Sequence, residues 1–583
     1  MSPPTPIVSP ESDKGKGFAA EHLEHVVSYD DAEKQQPHVI ADLKEVDEAA
    51  KVMAEAGKIE YTLEEDKAVL RKIDTWILPV LCIAYLVQQA SPLYQRLQDQ
   101  RANKHLFNSS TSRRCHMQPF STFHTGEATH LKGQQYSWLT SIVYLAQLGF
   151  QPLSSFALVK FPVKWWLLFN LLGWSTVTTV SAAAHNFTGL AICRFFLGMF
   201  EATIAPTSVA ITQMYWRRRE QSYRLVVWQI ANSCAAILGP LLSYGVGHAA
   251  TSGKIHAYQA IFICLGLIGV ASVPVIAFLL PNHPATAKFL RHGNDRAIAL
   301  ERLRDNNTGT KNSTWKWDQV RECLTEFKTW GWALMFLCCA LPSGGFGAFG
   351  GIITKGFGFD AFEAVLMQMP TGAIQIVVLI FAIWLTNKIK MRFPVIAFLT
   401  LFPIAGAVGL LKVPRDQPKS LLGCYYVALI LGVLQPLMYS WANLNAAGHT
   451  KKVVTMAVAF VFQCVGNIVG PQVYLAKEAP KYYTAILPGI YVDIGFWCLL
   501  AILALVMGAH LKHLNRKQEQ RRVALGRPAQ VKDTSIMSLE EGRAYKEELR
   551  LALLAEGKDV KDMNLESFDD LTDRQNPDFF YVI

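Results

Sequence analysis

The chain contains about twelve runs of apolar residues, each roughly 17 to 25 long, which suits a helix crossing a hydrocarbon layer of about 30 Å. Water is absent there, so backbone N–H and C=O groups must bond within the chain, and a bundle of helices is the expected form. The runs lie near 73–90, 136–158, 165–184, 187–213, 225–247, 259–280, 331–353, 362–386, 393–411, 420–441, 453–475 and 486–509. Charged residues make up only 17% of the 583, against about 25% in soluble domains. They sit at the two ends, in one central stretch and in the short gaps, which excludes a disordered, fibrous or disulfide-rich secreted chain.

The polar stretches divide the molecule. Residues 1–70 form a polar N-terminal tail without the apolar core of a signal peptide, so the N-terminus is expected to stay in the cytosol. Residues 71–281 hold six runs and residues 331–510 another six. Between them a polar loop, 282–330, carries a helix-like stretch from Arg296 to Arg304, and 511–583 form a second tail. Lys160, Lys164, Arg217, Arg218, Arg219, Arg224, Lys388, Lys390, Arg392, Lys451, Lys452 and the basic 512–522 fall on one side, which the positive-inside rule makes the cytosol. Both termini then face the cytosol. Two groups of six joined by a cytosolic loop are the organisation of a major facilitator transporter, whose halves rock about a midplane site.

A formal net charge of +10 raises nucleic acid as a partner. The basic residues flank apolar runs without forming a continuous patch, however, so orientation in a lipid bilayer explains them and no nucleic-acid partner is expected. Nine cysteines (Cys82, Cys193, Cys234, Cys264, Cys338, Cys339, Cys424, Cys464 and Cys498) fall inside apolar runs, where a thiol behaves as a small hydrophobe. No CxxC spacing occurs, so neither a zinc site nor a disulfide is read, and no cofactor is implied. The phosphate loop of an ATP-driven pump is missing, as is any nucleophile and base at recognisable spacing, so no enzyme is expected.

The fourth run places Arg194 and Glu201 seven residues apart in otherwise apolar text. Seven residues are about two helical turns, so the side chains project from nearly one face. A charge at this depth costs at least about 2.5 kcal/mol unless it meets a partner or water, and both are expected to face the bundle interior. A guanidinium fork matches a carboxylate, which makes Arg194 the candidate anchor for an anionic substrate. Glu201 is the candidate proton carrier, because burial and nearby cations can set its pKa. The alternative is that the pair only satisfies neighbouring helices. Further candidate lining residues are Gln147, Gln229, Asn232, Gln368, Gln435, Tyr439, Asn443 and Asn467, with Tyr144, Gln151 and Gln463 as lesser ones, although each could instead bridge helices. Gly239-Pro240 with Gly245 and Gly247, and Gly466 with Gly470-Pro471, occupy corresponding places in the two groups and suggest an internal repeat with close helix packing.

Several stretches together resemble the fungal allantoate permease family, an anion:cation symporter branch of the major facilitator superfamily. They are Thr129 to Trp138, Arg194 to Glu201, Trp216 to Arg224, Leu280 to Pro284, Asn445-Ala-Ala-Gly448-His449-Thr450-Lys451-Lys452, Gly466 to Gln472 and Glu478 to Tyr482. The resemblance covers about residues 64–515. It implies proton-coupled transport of a small organic anion such as a ureide, a vitamin or a peptide, and it assigns substrate binding and proton coupling to Arg194 and Glu201. It further implies a monomer; the plasma membrane is the expected location, with the vacuole as the alternative.

One departure stands out. Relatives carry an acidic and a basic residue after the first apolar run, a pair implicated in proton coupling, whereas Leu86-Val-Gln-Gln-Ala90 is followed here by a polar stretch, 91–125. This insert puts Arg96, Arg101, Lys104, Arg113 and Arg114 on the side the charge rule makes extracellular. It is either a retained intron or misplaced splice junction, or a true extracellular loop with a glycosylation motif at Asn108-Ser-Ser110. The function expected is a secondary transporter of a small organic anion, by proton symport and alternating access. Export of a metabolite, or a transporter-like nutrient receptor, are the alternatives.

Overall fold

The computed structural model describes residues 61–102, 135–250, 257–290, 294–304, 315–356, 366–414, 416–473, 483–524, 541, 544–545, 548, 551, 572–576 and 579–583. The first group of helices is α1 (Leu63–Ala102), α2 (Gln135–Lys160), α3 (Val163–Val180), α4 (Phe187–Glu201), α5 (Ile204–Tyr215), α6 (Arg218–Ala250) and α7 (Ala257–Leu279). Two short helices, α8 (Asp295–Arg304) and α9 (Trp317–Thr325), occupy the central loop. The second group is α10 (Phe327–Gly356), α11 (Met369–Ile389), α12 (Phe393–Lys412), α13 (Pro418–Ala428), α14 (Leu434–Leu444), α15 (His449–Val473) and α16 (Tyr483–Ala524). Since α4 with α5 and α13 with α14 each make one crossing, the two groups supply six crossings apiece.

Eight crossings among the described residues are long and apolar enough to span a membrane by length and composition. Each of the other four lies against one of them: α1 against α6, α2 against α4 and α15, α3 against α7, and α10 against α15. Large apolar side chains such as Phe278, Val377 and Leu153 point outward, as the lipid-facing surface of a membrane bundle requires.

The packing repeats. Contacts of α1 with α6 and of α3 with α7 in the first half recur as α10 with α15 and α12 with α16 in the second, while α2 meets α15 and α6 meets α11 across the halves. Gly466 and Gly470 fit the expected close packing, because a Cβ on Gly470 would stand 2.3 Å from the Leu341 carbonyl oxygen and one on Gly466 2.8 Å from the Ala340 Cβ. Gly245 does not, having open space on all sides.

Several boundaries differ from expectation. Helix α1 starts ten residues earlier than the first apolar run and continues through 91–102, the first part of the anomalous insert; residues 103–125 lie outside the described residues. The eighth crossing begins only at Met369. The twelfth extends to Ala524, so the basic stretch 512–522 is helical.

The fourth and tenth crossings both break, for one chemical reason. Pro206 is the third residue of α5 and Pro436 the third of α14. A proline lacks the N–H that would bond four residues back, and its ring clashes with that carbonyl, here of Ala202 and Gly432. The first break is a turn at Ala202 and Thr203, the second a 3₁₀ stretch over Leu429–Val433.

Candidate functional site

Helix α4 is anchored at its start by Asn186, whose Oδ1 accepts the Gly189 N–H at 2.7 Å. Its inward face carries Arg194, Leu197 and Gly198, all buried, with Glu201 partly buried two turns on from Arg194, while Ile192, Phe195 and Phe196 face outward. Gly198 lets this face approach α2 closely: a Cβ there would lie 2.2 Å from the Val143 carbonyl oxygen. The break after Glu201 is fixed by Thr203, whose hydroxyl bonds Ser154 of α2 at 2.8 Å and donates to Asn170 Oδ1 of α3 at 3.3 Å.

Glu201 therefore ends its helix at the break. Its carboxylate acts electrostatically on the Tyr85 hydroxyl of α1 and on the Cys464 thiol of α15. The Cys464 thiol in turn donates across the halves to Gln147 Oε1 of α2 at 3.9 Å. The Tyr85 ring packs on Trp228 of α6 at 4.6 Å between centroids, and the Tyr439 ring of α14 packs on Phe336 of α10 at 4.5 Å. Tyr439 donates a short hydrogen bond to Gln463 Oε1. The side-chain oxygens of Gln88, Gln151 and Gln229 are buried without a hydrogen-bond partner among the described residues.

The halves also touch at both ends. At the basic face the Gln213 amide of α5 donates to Asn443 Oδ1 of α14 at 3.1 Å. At the opposite face Ser141 of α2 donates to the Ile468 carbonyl of α15 at 3.2 Å and accepts from Gln472 Nε2 at 3.3 Å.

The sequence matches the Major Facilitator Superfamily over residues 106–471. The chain belongs to that superfamily. A transporter of Schizosaccharomyces pombe, itself uncharacterized, is 30% identical over 89% of this chain and 88% of its own length. The allantoate permease of Saccharomyces cerevisiae is 29% identical over 92% of this chain and 90% of its own, and the thiamine pathway transporter THI73 of the same yeast 29% identical over 78% and 81%. Among solved structures, a bacterial homolog of the human lysosomal transporter Spinster, inward-facing and unoccupied, matches with a TM-score of 0.53 at 12% identity, covering 77% of this chain and 98% of that one. At that identity the likeness shows the fold alone. This facilitator is accordingly a multi-pass membrane transporter of the allantoate-permease-like kind, and not an enzyme.

Within the facilitator the sequence candidates separate into groups. Gln147, Tyr439 and Gln463 take part in the central cluster, Glu201 lies within electrostatic reach of it, Arg194 is buried two turns earlier on α4, and Gln229 and Asn232 are half-buried on α6, the helix that carries Trp228. Asn443 belongs instead to the closed end at the basic face. Asn467 is buried where α15 passes Gly344 of α10, against which its backbone packs. Gln435 is half-buried in the first turn of α14, at the break. Gln368 differs most from expectation: it precedes α11 rather than lying within it, and its Oε1 accepts the Tyr425 hydroxyl at 3.3 Å, away from the central cluster.

The structure adds residues that sequence reasoning passed over. Tyr85, Gln88 and Trp228 were hidden because a lone tyrosine, amide or indole in apolar text carries no charge signal. Asp493 does carry one, being a fully buried acid on α16 that shares a face with Ile490 and Trp497.

Beneath each half lies a charge cluster at the basic face. Under the first, Asp66 of α1 holds Arg217 at 3.1 Å and Arg302 of α8 at 2.9 Å, and Arg302 also meets Glu220 at 2.9 Å. Arg224 pairs with Asp74 at 2.7 Å beside the same helix ends. Under the second, Lys451 of α15 holds Glu322 of α9 at 2.7 Å and Glu326 at 2.6 Å, and Lys328 meets Glu326 at 3.2 Å.

Proposed function

We propose that the protein is a proton-coupled symporter of a small organic anion, working by alternating access, with its basic face in the cytosol. The supporting observation is that Arg194 and Glu201 share the inward face of α4, with Glu201 at the break of its crossing and within electrostatic reach of Tyr85 of α1 and Cys464 of α15. A carboxylate bound by the Arg194 guanidinium would lie two turns from an acid able to take a proton, so solute and proton can influence each other. The name of one relative, allantoate permease, gives a carboxylate as its cargo. The contacts Gln213–Asn443 and Ser141–Gln472 close opposite ends, and alternating access requires that they break in turn. The groups of crossings within 71–281 and 331–510 act as the two rocking halves, and the protein works in the plasma membrane with both termini cytosolic.

The test is uptake of a panel of carboxylates (ureides, vitamins, short peptides) into cells expressing the protein. Uptake of at least one rises as external pH falls and collapses with a protonophore; Arg194→Ala raises the half-saturation constant or abolishes uptake, and Glu201→Gln removes the pH dependence. Uptake indifferent to both pH and protonophore removes the proton from the scheme, and net flux only out of loaded cells makes the protein an exporter.

A further inference from the structure

The charge cluster under the second half has a member from far along the chain. Asp573, fully buried, binds Lys451 at 2.8 Å and makes a short ion pair with Lys328, and it accepts the Tyr581 hydroxyl at 2.8 Å. It occupies the place that Arg302 takes under the first half: each cluster joins the start of its half, the start of its fifth crossing and one residue following its sixth.

The described residues after Asp573 are seated with it. Phe579, Tyr581 and Val582 are at most 5% exposed, and Phe579 and Tyr581 pack into the apolar core of the second half with Trp332 and Trp441. Asn515 of α16 donates to the Tyr581 carbonyl at 2.8 Å and accepts its N–H at 2.9 Å, and the Arg392 N–H donates to the Ile583 carbonyl at 2.7 Å. The Val582 carbonyl accepts the Trp441 indole N–H at 2.8 Å and the Asn445 side-chain amide at 3.0 Å. Those two residues bracket Asn443, which makes the contact to Gln213 across the halves.

Charge bookkeeping lets this segment leave. Without it, Lys328 and Lys451 are matched by Glu322 and Glu326. The segment carries Asp573, Arg574 and Asp578; Asp573 and Arg574, whose Nε stands 3.8 Å from Glu326, bring one acid and one base to this cluster, so the charge they add there is balanced whether seated or released. Residues 525–571 of the sequence lie between it and α16.

We propose that residues 572–583 are an intramolecular latch. Seated, they hold the end of α14 so that Asn443 meets Gln213 and the basic face stays closed. Released, they free α14 and let that face open. The latch rests on alternating access as proposed above, but on neither the substrate nor the proton, and its test involves no transported solute.

The test is cross-linking in membranes. Gln213→Cys with Asn443→Cys reports the basic face and Ser141→Cys with Gln472→Cys the opposite one, with single-cysteine variants setting the background from native cysteines. Deleting 572–583 lowers the first cross-link by at least about fivefold, the low end of coupling between sites, and leaves the second in place. A synthetic peptide of residues 572–583 restores the first cross-link, and the same peptide with Asp573→Lys does not. Should the deleted chain fail to accumulate, Asp573→Asn in the full chain gives the same readout. A first cross-link unchanged by the deletion, an equal loss of both, or equal rescue by the charge-reversed peptide overturns the latch. If the latch holds while carboxylate uptake proves insensitive to protons, only the coupling reading falls.

Discussion

Gln213 and Asn443 each stand seven residues after the proline that breaks their crossing, and the side-chain amide of the first donates to that of the second at 3.1 Å. The two halves thus meet at equivalent positions, on helices freed to turn inward by equivalent breaks.

This pairing predicts a measurable coupling. In a double-mutant cycle of Gln213→Ala and Asn443→Ala, the interaction term in the stability of the detergent-solubilised protein should reach about 0.5–1.5 kcal/mol, the usual net worth of a hydrogen bond between neutral groups. Additive single substitutions would show that the contact does not hold the halves together.

Much of the fold is legible in the chain because apolar length is a strong signal: a run such as 393–411 has no other use, and the structure places α12 there within a residue of both ends. The inward turn of Arg194 and Glu201 is equally legible, since charge in lipid must be turned away from it. Legibility fails where the deciding contact is long-range. Asp573 in a polar tail looks like any other acid, and nothing near it announces Lys328 and Lys451, 245 and 122 residues away. The breaks at Pro206 and Pro436 were readable, but many helices here tolerate an internal proline, among them α2 with Pro152 and α12 with Pro403.

The break after Glu201 is itself testable. Pro206→Ala returns an N–H and removes the clash with the Ala202 carbonyl, so α4 and α5 should merge into one helix and turn Glu201 from its present place at the break. Transport should drop by roughly one to two orders of magnitude with the protein still folded and in the membrane, as for a misplaced functional group. Full transport by this variant would mean that the break does not position the acid.

Gly198 and Gly245 form a matched pair of controls. A side chain at Gly198 meets the Val143 carbonyl oxygen, so Gly198→Val should cost about 1–3 kcal/mol by overpacking and separate α4 from α2. Gly245→Ala meets nothing, and its effect should stay within about 0.5 kcal/mol of zero. Thermal melts of the two purified variants decide the matter; equal losses would contradict the packing described for α2 and α4.

Asp573 sets the expected pH response of the docked segment. Burial pushes its carboxyl up, but the Lys328 and Lys451 ammonium groups, with the hydrogen bonds they donate, pull it further down, from 3.8 to about 2. An acid lowered on docking contributes its full stabilisation above 3.8 and loses it only as pH falls through about 2. Glu326 moves the other way: burial and the Asp573 charge raise it, against Lys328 and Lys451, with Glu322 and Arg574 also near. Because the Asp573 charge raises Glu326, protonating Glu326 must favour docking in return. Acidification from pH 7 to 5 should therefore leave the segment seated or tighten it, and Glu326→Gln should abolish any such tightening. Asp573→Ala, which strips one partner from a buried ion pair, should weaken docking by about 3–5 kcal/mol across that whole range. Protease accessibility of an epitope appended after Ile583, followed against pH in inside-out vesicles, measures all three; release on mild acidification would show that a group other than these holds the segment.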